Sequence, residues 1–470
     1  MIHHLSTTDN NLGKSLGSLS GSVENLPSIY KDLSLVANTP IKDLTKNNSS
    51  LLVFPELLGS FEDGIEEQHI FDLCGNPDEP EKVKLTTGNL MGFIGIGDTQ
   101  LKISSRFSQD DENDFFLHYM LEKVFSINLF DYKYTIDNGG LDLLMFLFPH
   151  FLKKALAQGL FRQYQIFNRN DANVKGVIDV SRHIKQNVPF GGKIAYKSRE
   201  RTFDNPITQL IRHTIEFIKT KNFGSAVLNS NIEMRKCVQE IIAATPSYCI
   251  QNREKIIAQN LKPVNHPYFT KYKVLQKLCL AILRHKKIGF GNSKNKVYGI
   301  LFDGAWLWEE YLATILKAKN FLHPQNKKRG GGIKMFENDF DEISFDKNHR
   351  RIYPDFYKLN ENGKDGFILD AKYKQLQNGV GREDLYQVVT YMHTMKIDRG
   401  GFLYPIPECE YSESNAHLQY KLAGYGKEIH IYGMQIPKAD GDSFKENYKT
   451  FCNRMSWTEK ELLNNLHSTY

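Results

Sequence analysis

Tyr353-Pro354-Asp355 and Ile368-Leu369-Asp370-Ala371-Lys372-Tyr373 are the two stretches of this chain that decide its fold. Fifteen positions separate Asp355 from Asp370, and the segment between them contains Asn360-Glu361-Asn362-Gly363-Lys364-Asp365-Gly366. Asn-Gly and Asp-Gly pairs between strand-like runs are the strongest short-range signal for a hairpin. We therefore expect two antiparallel strands joined by a turn at this segment.

The alternation of side chains along the second strand places the charged residues together. Asp370 and Lys372 should point to one face of the sheet, whereas Leu369 and Ala371 point to the other. If Asp355 faces them from the neighbouring strand, two carboxylates converge beside one ammonium. Such a cluster can hold Mg²⁺ through oxygen ligands and leave the lysine to steady the attacking water or the phosphate. This pattern predicts a metal-dependent nuclease.

An Asp-x-Lys spacing alone is a weak signal. Asp131-Tyr132-Lys133 has the same spacing, but an amphipathic helix over 115–125 precedes it, so we interpret that copy as accidental. Asp355 and Asp370 could also be surface residues, with Lys372 a solvated charge, since charged side chains usually face water. However, Asp370 lies inside an apolar run, where a charge needs a partner, and this favours the functional interpretation.

Three further elements extend the pattern. Gln387 and Tyr391 are i,i+4 neighbours on one face of a predicted helix, although the same face could be plain core. Upstream, residues 302–312 predict a helix that could lend another carboxylate to the site. Downstream, residues 401–405 predict a short strand.

The order of these elements resembles the PD-(D/E)xK nuclease superfamily. Within it, the Pro-Asp, Leu-Asp-Ala-Lys-Tyr and Gln-x-x-x-Tyr segments are most similar to McrC, the nuclease subunit of McrBC restriction systems and their LlaJI-like relatives. Residues 173–180 and 199–208 are similar to the McrC middle region, where a Gly-x-Ile-Asp segment precedes a Glu/Asp-Asn-Pro helix start. The resemblance covers roughly residues 85–405.

The resemblance implies a role for each site residue. Asp355, Asp370 and Lys372 would be catalytic, and Asp355, Asp370 and Glu309 would ligate Mg²⁺, joined by the Ala371 carbonyl. Lys372 would position the nucleophilic water or stabilise charge on the scissile phosphate. The residues expected to support the site or to touch DNA are Gln387 and Tyr391.

The carboxylate from the upstream helix is either Glu309 or Glu310. The Phe-Glu pair of the family falls on Trp308-Glu309, which favours Glu309. Without a functional role for Glu309, the same helix would still present a core-facing stripe of Trp306 and Tyr311.

The predicted architecture is an α/β nuclease domain over 296–440, of the PD-(D/E)xK restriction-endonuclease-like type, with a central mixed sheet flanked by helices. A flexible Ser-, Asn- and Gly-rich leader is expected over 1–45 and a β-rich N-terminal domain over 46–110. A mostly helical middle domain would occupy 111–295. The last segment, 441–470, is expected to be a C-terminal tail.

The mildly basic net charge of the chain permits contact with nucleic acid but does not by itself indicate it. The net charge is +6 and the pI about 8.7. The basic residues Lys327, Lys328 and Arg329 precede three glycines, so this loop could follow a DNA phosphate backbone. The alternative is a solvated loop whose charge only serves solubility.

The cysteines and the apolar segments indicate a soluble, cytoplasmic protein. The six cysteines include no Cys-x-x-Cys pair, which disfavours zinc and iron–sulfur sites and suits a reducing compartment. No charged-plus-apolar leader opens the sequence, and the most apolar stretch, 141–152, is too short to span a membrane.

The sequence contains no Gly-x-x-x-x-Gly-Lys-Ser/Thr loop. This fits the resemblance, which implies that a McrB-like AAA+ GTPase is a separate subunit and that DNA is the substrate. Two rival functions remain open from sequence. One is a stand-alone RecB-like repair nuclease, and the other is a non-cutting adaptor that stimulates a motor NTPase.

Overall fold

The structure is a computed structural model of the chain. It describes residues 3–19, 25–48, 50–55, 65–109, 113–127, 141–288, 297–324, 332–335, 351–359, 366–375, 379–424, 426–439 and 443–467. The described residues form a mixed α/β protein with several sheets. The chain divides into two compact units, the first made of residues 1–142 and 291–470 and the second of residues 143–290.

The strands and helices of the described residues are as follows. The strands are β1 (His3–Thr8), β2 (Lys14–Ser15), β3 (Leu51–Phe54), β4 (Phe71–Cys74), β5 (Lys84–Thr87), β6 (Leu90–Ile96), β7 (Thr99–Ser104), β8 (Gln163–Asp171), β9 (Val177–Ile178), β10 (Ile194–Thr202), β11 (Val297–Asp303), β12 (Ile333–Lys334), β13 (Arg351–Ile352), β14 (Phe356–Lys358), β15 (Phe367–Ala371), β16 (Arg399–Pro407), β17 (His417–Lys421) and β18 (Glu428–Ile436). The helices are α1 (Leu16–Leu19), α2 (Leu26–Leu33), α3 (Ile41–Asn47), α4 (Phe115–Phe125), α5 (Leu141–Leu156), α6 (Val180–Gln186), α7 (Pro206–Lys219), α8 (Gly224–Leu228), α9 (Ile232–Ala244), α10 (Arg253–Gln259), α11 (Lys271–Ile288), α12 (Gly304–Leu316), α13 (Arg382–Met395), α14 (Glu413–Ala416) and α15 (Phe444–His467).

The first sheet of the first unit has the strand order β1-β7-β6-β11-β3. Strands β6 and β7 are buried along their whole length, which fits the near-continuous apolar sequence of β6, whereas β7 alternates polar and apolar residues. Strand β11 pairs antiparallel with β6 and parallel with β3. The β-rich domain is therefore larger than the predicted range 46–110, because it takes in a strand from residues 297–303.

The prediction of a flexible leader over residues 1–45 is wrong for the described residues. Strand β1 pairs parallel with β7 in a register that places Leu5 opposite Leu101, and Leu5 is buried. Helix α2 buries Leu26, Ile29 and Leu33, which are spaced as one helical stripe. The polar composition concealed these few apolar residues, whose burial stabilises the segment against the sheet.

The second sheet of the first unit has the order β14-β15-β16-β18-β17 and mixes parallel and antiparallel pairs. Helix α13 packs closely on this sheet: a Cβ added at Gly400 would lie 2.5 Å from Met392 Sδ and 2.7 Å from Val388 Cγ1. A larger residue at this position would push the helix away from β16. The predicted central mixed sheet with flanking helices is thus present.

Helix α12 follows β11 directly and joins the two sheets. The Asp303 carboxylate accepts a hydrogen bond of 2.8 Å from Trp306 N and so caps the helix. The helix predicted over 302–312 is confirmed. The predicted domain start at 296 is wrong, because residues 297–303 belong to the first sheet.

The predicted C-terminal tail over 441–470 is in fact a packed helix within residues 443–467. Helix α15 buries Tyr448, whose ring stacks 5.5 Å from that of Phe115. Glu459 accepts hydrogen bonds from Tyr119 Oη and Tyr311 Oη, at 2.8 and 2.9 Å. These contacts tie α15 to α4 and α12.

The second unit contains helices and a three-stranded sheet of order β8-β10-β9. The middle region was predicted as mostly helical, so the three-stranded sheet departs from that prediction. The predicted start of α7 is confirmed, because the Asn205 side chain accepts from Ile207 N and Thr208 N in a capping box. None of the helices in the described ranges is both long and apolar enough to span a membrane.

Candidate metal and catalytic site

The β14–β15 hairpin brings the two predicted aspartates together. In its antiparallel register Phe356 lies opposite Leu369. Asp355 directly precedes β14, and its Oδ2 accepts a hydrogen bond of 2.7 Å from Ala371 N. This bond fixes Asp355 beside the end of β15, one residue from Asp370. The predicted hairpin is therefore confirmed, although its turn at 360–365 lies outside the described residues.

Asp370 is the most buried member of the site. Its side chain is only 2% exposed, and its Oδ2 atom lies 2.6 Å from Lys372 Nζ. Burial raises the pKa of Asp370, because the charged form loses hydration, while the neighbouring Lys372 ammonium opposes the shift. A buried, charged carboxylate oxygen needs a cation beside it to offset its lost hydration.

Lys372 supplies a cation in this structure. Its Nζ lies 2.6 Å from Asp370 Oδ2, 3.3 Å from Asp384 Oδ1 and 3.3 Å from Gln387 Oε1. Burial alone would lower the pKa of Lys372, but the surrounding carboxylates, Asp370 first, raise it above its ordinary value. Lys372 is therefore a fixed positive charge beside the carboxylates.

Helix α13 links Lys372 to the Pro-Asp segment. Gln387 Nε2 donates to Tyr391 Oη at 2.7 Å, and Tyr391 Oη donates to the Tyr353 carbonyl at 3.3 Å. Burial raises the pKa of Tyr391 to about 12, so its hydroxyl remains protonated and can donate. The structure therefore brings both predicted helix residues to the site.

Asp384 belongs to the site and was not predicted as a site residue. It lies in the first turn of α13, and its Oδ2 is 3.0 Å from Lys374 Nζ. Burial tends to raise the pKa of Asp384, but Lys374 and Lys372 hold it below its ordinary value. The available signal was the pair of lysines Lys372 and Lys374 directly after β15, two cations that need a nearby acid.

The Glu309 carboxylate lies beside the imidazole of His323. Glu309 Oε1 lies 3.6 Å from His323 Nδ1, and Glu310 Oε1 lies 4.0 Å from His323 Nε2. His323 Nδ1 in turn donates to the Asp355 carbonyl at 2.8 Å. The structure thus connects α12 to the Pro-Asp segment through His323, a residue without a local sequence signal. The ligand role of Glu309 stays a prediction.

Tyr373, directly after Lys372, anchors the site to the first sheet. Its Oη lies 2.7 Å from Ser105 Oγ, and the Arg106 guanidinium lies 4.8 Å from its ring centroid. A Cβ added at Gly304 would lie 2.6 Å from the same ring. Residues directly after β7, at the start of α12 and directly after β15 therefore share one packed cluster.

The donor set of the site is suited to Mg²⁺. Within the described part of the chain, no group of three or more His, Cys, Asp and Glu side chains could hold a metal ion. Mg²⁺, however, is commonly bound through one or two carboxylates, with waters and substrate phosphates completing its octahedron. Asp355 and Asp370 provide two such carboxylates, and the buried Asp370 Oδ2, which lies 2.6 Å from the Lys372 ammonium, is already an oxygen that holds a cation. The residues present therefore fit the ion.

The predicted DNA-binding loop cannot be placed. Lys327, Lys328 and Arg329 lie outside the described residues, so their role stays a prediction.

Fold and site together define a mixed α/β protein with two aspartates and a lysine gathered at one end of a five-stranded sheet. Residues 85–405 match the family described as "McrBC 5-methylcytosine restriction system component". The chain belongs to this family, as the sequence resemblance predicted.

Two solved structures are similar to this chain. One is described as "Refined half-complex from tetradecameric assembly of Thermococcus gammatolerans McrB AAA+ hexamers with bound McrC"; it is 13% identical, with a TM-score of 0.48, over 96% of this chain and 100% of that chain. The other is the "Cryo-EM structure of the Thermococcus gammatolerans McrBC complex", 14% identical, with a TM-score of 0.32, over 67% of this chain and 87% of that chain. No curated protein matches the chain.

Proposed function

We propose that this chain is the Mg²⁺-dependent DNA endonuclease subunit of a McrBC-type restriction system and that its second sheet is a PD-(D/E)xK nuclease domain. The observation that carries the proposal is the cluster of Asp355, Asp370 and Lys372 at the end of the β14–β15 hairpin. Membership of the restriction-system family supports it independently.

Each residue of the site would have a separate role in phosphodiester hydrolysis. Asp355 and Asp370 would hold Mg²⁺, which when bound polarises a phosphoryl oxygen and acidifies water. Lys372 keeps its charge at neutral pH, so it can orient the scissile phosphate and offset negative charge that develops on it. The Gln387–Tyr391 pair holds the lysine in place through the Gln387 carbonyl oxygen.

We further propose that cleavage requires a separate AAA+ subunit that hydrolyses GTP. The family of this chain is that of a multi-component restriction system, and the sequence contains no Gly-x-x-x-x-Gly-Lys-Ser/Thr loop of its own. In this scheme the chain cuts DNA and its McrB-like partner supplies the motor.

The substitution Asp370→Asn tests the nuclease proposal. It keeps the side-chain shape but removes a negative ligand, so cleavage of DNA in the presence of the partner, GTP and Mg²⁺ should fall at least 100-fold. Binding of DNA, measured by fluorescence anisotropy, should remain.

The matched control is Asp398→Asn. Asp398 lies just before β16 in the same sheet. Its carboxylate is 56% exposed and lies 3.3 Å from Lys427 Nζ. Its cleavage rate should equal that of the wild type. An Asp370→Asn protein that cuts at the wild-type rate under limiting Mg²⁺ would refute the proposed site.

A further inference from the structure

The ammonium of Lys372 occupies the place where a metal cation would be attracted. Lys372 Nζ lies 2.6 Å from Asp370 Oδ2, an oxygen of a side chain that is only 2% exposed. Two cations cannot share this oxygen without strong repulsion in a poorly hydrated site. The lysine must therefore move away from Asp370 Oδ2 when a metal ion binds there.

A second acceptor for the lysine is already in place. Asp384 Oδ1 lies 3.3 Å from Lys372 Nζ, and the side chains of Lys372 and Asp384 are each 14% exposed. Gln387 Oε1 lies at the same distance of 3.3 Å, but it is neutral and holds an ammonium less strongly. A small shift toward α13 would transfer the ion pair from Asp370 to Asp384.

The surroundings of Asp384 leave its carboxylate able to accept the Lys372 ammonium. Its other oxygen, Oδ2, faces Lys374 Nζ at 3.0 Å, while the Lys374 side chain is 59% exposed and can turn toward water. Asp384 lies in the first turn of α13, where the helix dipole stabilises a carboxylate.

We propose that Asp384 is a positioning residue that receives the Lys372 ammonium and so frees Asp370 to bind a divalent cation. This inference rests on the proposed function of the site. It assigns to Asp384 a role in metal loading that acts through Lys372 and not as a ligand.

Binding of Mg²⁺ to the full chain without DNA, measured by titration calorimetry, tests the proposal. Asp384→Asn should raise the Kd for Mg²⁺ at least fivefold, because the ammonium then stays on Asp370. Lys372→Met, which removes the competing cation, should lower the Kd several-fold. In the Lys372→Met background Asp384→Asn should change the Kd by less than twofold, since Lys374 partly neutralises the remaining charge.

Two further variants serve as controls for the Mg²⁺ titration. Glu383→Gln removes the same charge from the neighbouring, exposed position of α13 and should leave the Kd unchanged. Asp384→Glu retains a carboxylate and should bind Mg²⁺ nearly as the wild type does, which excludes a loss caused by misfolding.

Three results would overturn the inference. If Asp384→Asn raised the Kd for Mg²⁺ equally in the wild-type and the Lys372→Met backgrounds, Asp384 would be a metal ligand or would act only through long-range electrostatic attraction. An unchanged Kd in Asp384→Asn alone would remove its role altogether. A wild-type chain that binds no Mg²⁺ would overturn both this inference and the metal-dependent function, whereas the first two results leave that function intact.

Discussion

At the scale of single residues, some members of the site follow from local sequence patterns, whereas others are placed by packing between distant parts of the chain. Asp355, Asp370 and Lys372 were predicted, because a hairpin turn and the alternation of strand side chains are local properties of sequence. Asp384 and His323 were missed as site residues. Their roles depend on how α13 and the segment after α12 pack against the hairpin; the Lys372 and Lys374 pair indicated that an acid lies nearby, but not which one.

The hydroxyl of Tyr391 offers a test of how the site is oriented. Tyr391→Phe removes the acceptor for Gln387 Nε2 and the donor to the Tyr353 carbonyl. Gln387 then loses the bond that orients it toward Lys372. We expect kcat for DNA cleavage to fall about tenfold with little change in KM, because a slightly misplaced catalytic group slows the chemical step.

Tyr386→Phe is the matched control for this prediction. Tyr386 lies on the same helix, but its exposed hydroxyl accepts from Arg382 Nε at 2.7 Å at the surface. Its kcat should match that of the wild type. Equal kcat values for all three proteins would show that the Gln387–Tyr391 pair is only structural.

At the scale of elements, helices and the hairpin were predicted better than sheet membership. The start of α7, the helix α12 and the β14–β15 hairpin follow from capping residues and turn signals. By contrast, the pairing of β1 with β7 and of β11 with β3 joins segments far apart in the chain. Such pairings leave no local pattern, so the leader and the domain boundary were misassigned.

The buried cap of α12 predicts a pH dependence of stability. Burial raises the pKa of Asp303 from 3.8 to about 6. A carboxyl with a raised pKa in the folded state contributes stability below its unfolded pKa and loses it as the pH rises through the folded pKa. Asp303→Asn keeps an acceptor for Trp306 N but cannot ionise.

The unfolding free energy of the wild type relative to Asp303→Asn should therefore decrease between pH 4 and pH 7. The full effect is roughly 3 kcal/mol, from about 1.4 kcal/mol per pKa unit. Urea denaturation of both proteins across this range measures the difference. A difference that is flat or grows with pH would contradict the assignment of Asp303.

At the scale of the whole molecule, the first unit is built from both ends of the chain. Strand β11, from the second half, lies between β6 and β3 from the first half. A contiguous series of domains, which composition and periodicity predicted, could not represent this arrangement. The sequence nevertheless predicted the mixed α/β class and the family over residues 85–405.

This arrangement predicts that residues 1–150 cannot be removed without loss of the fold of the first unit. Deletion would expose the buried Leu301 and Phe302 of β11 and remove α4, whose Phe116 ring lies 6.1 Å from that of Trp308. We expect aggregation and loss of the cooperative thermal transition, followed by circular dichroism. A soluble fragment that melts cooperatively would contradict the intertwined fold.

We propose that this chain cuts DNA with its own carboxylate–lysine cluster while a separate subunit hydrolyses GTP. The most direct measurement compares wild type and Lys372→Ala, each alone and with the McrB-like partner, for DNA cleavage and GTP hydrolysis in Mg²⁺. We expect efficient cleavage only by the wild-type complex and equal stimulation of GTP hydrolysis by both proteins. Efficient cleavage by the wild-type chain alone, or cleavage by the Lys372→Ala complex at the wild-type rate, would contradict this proposal.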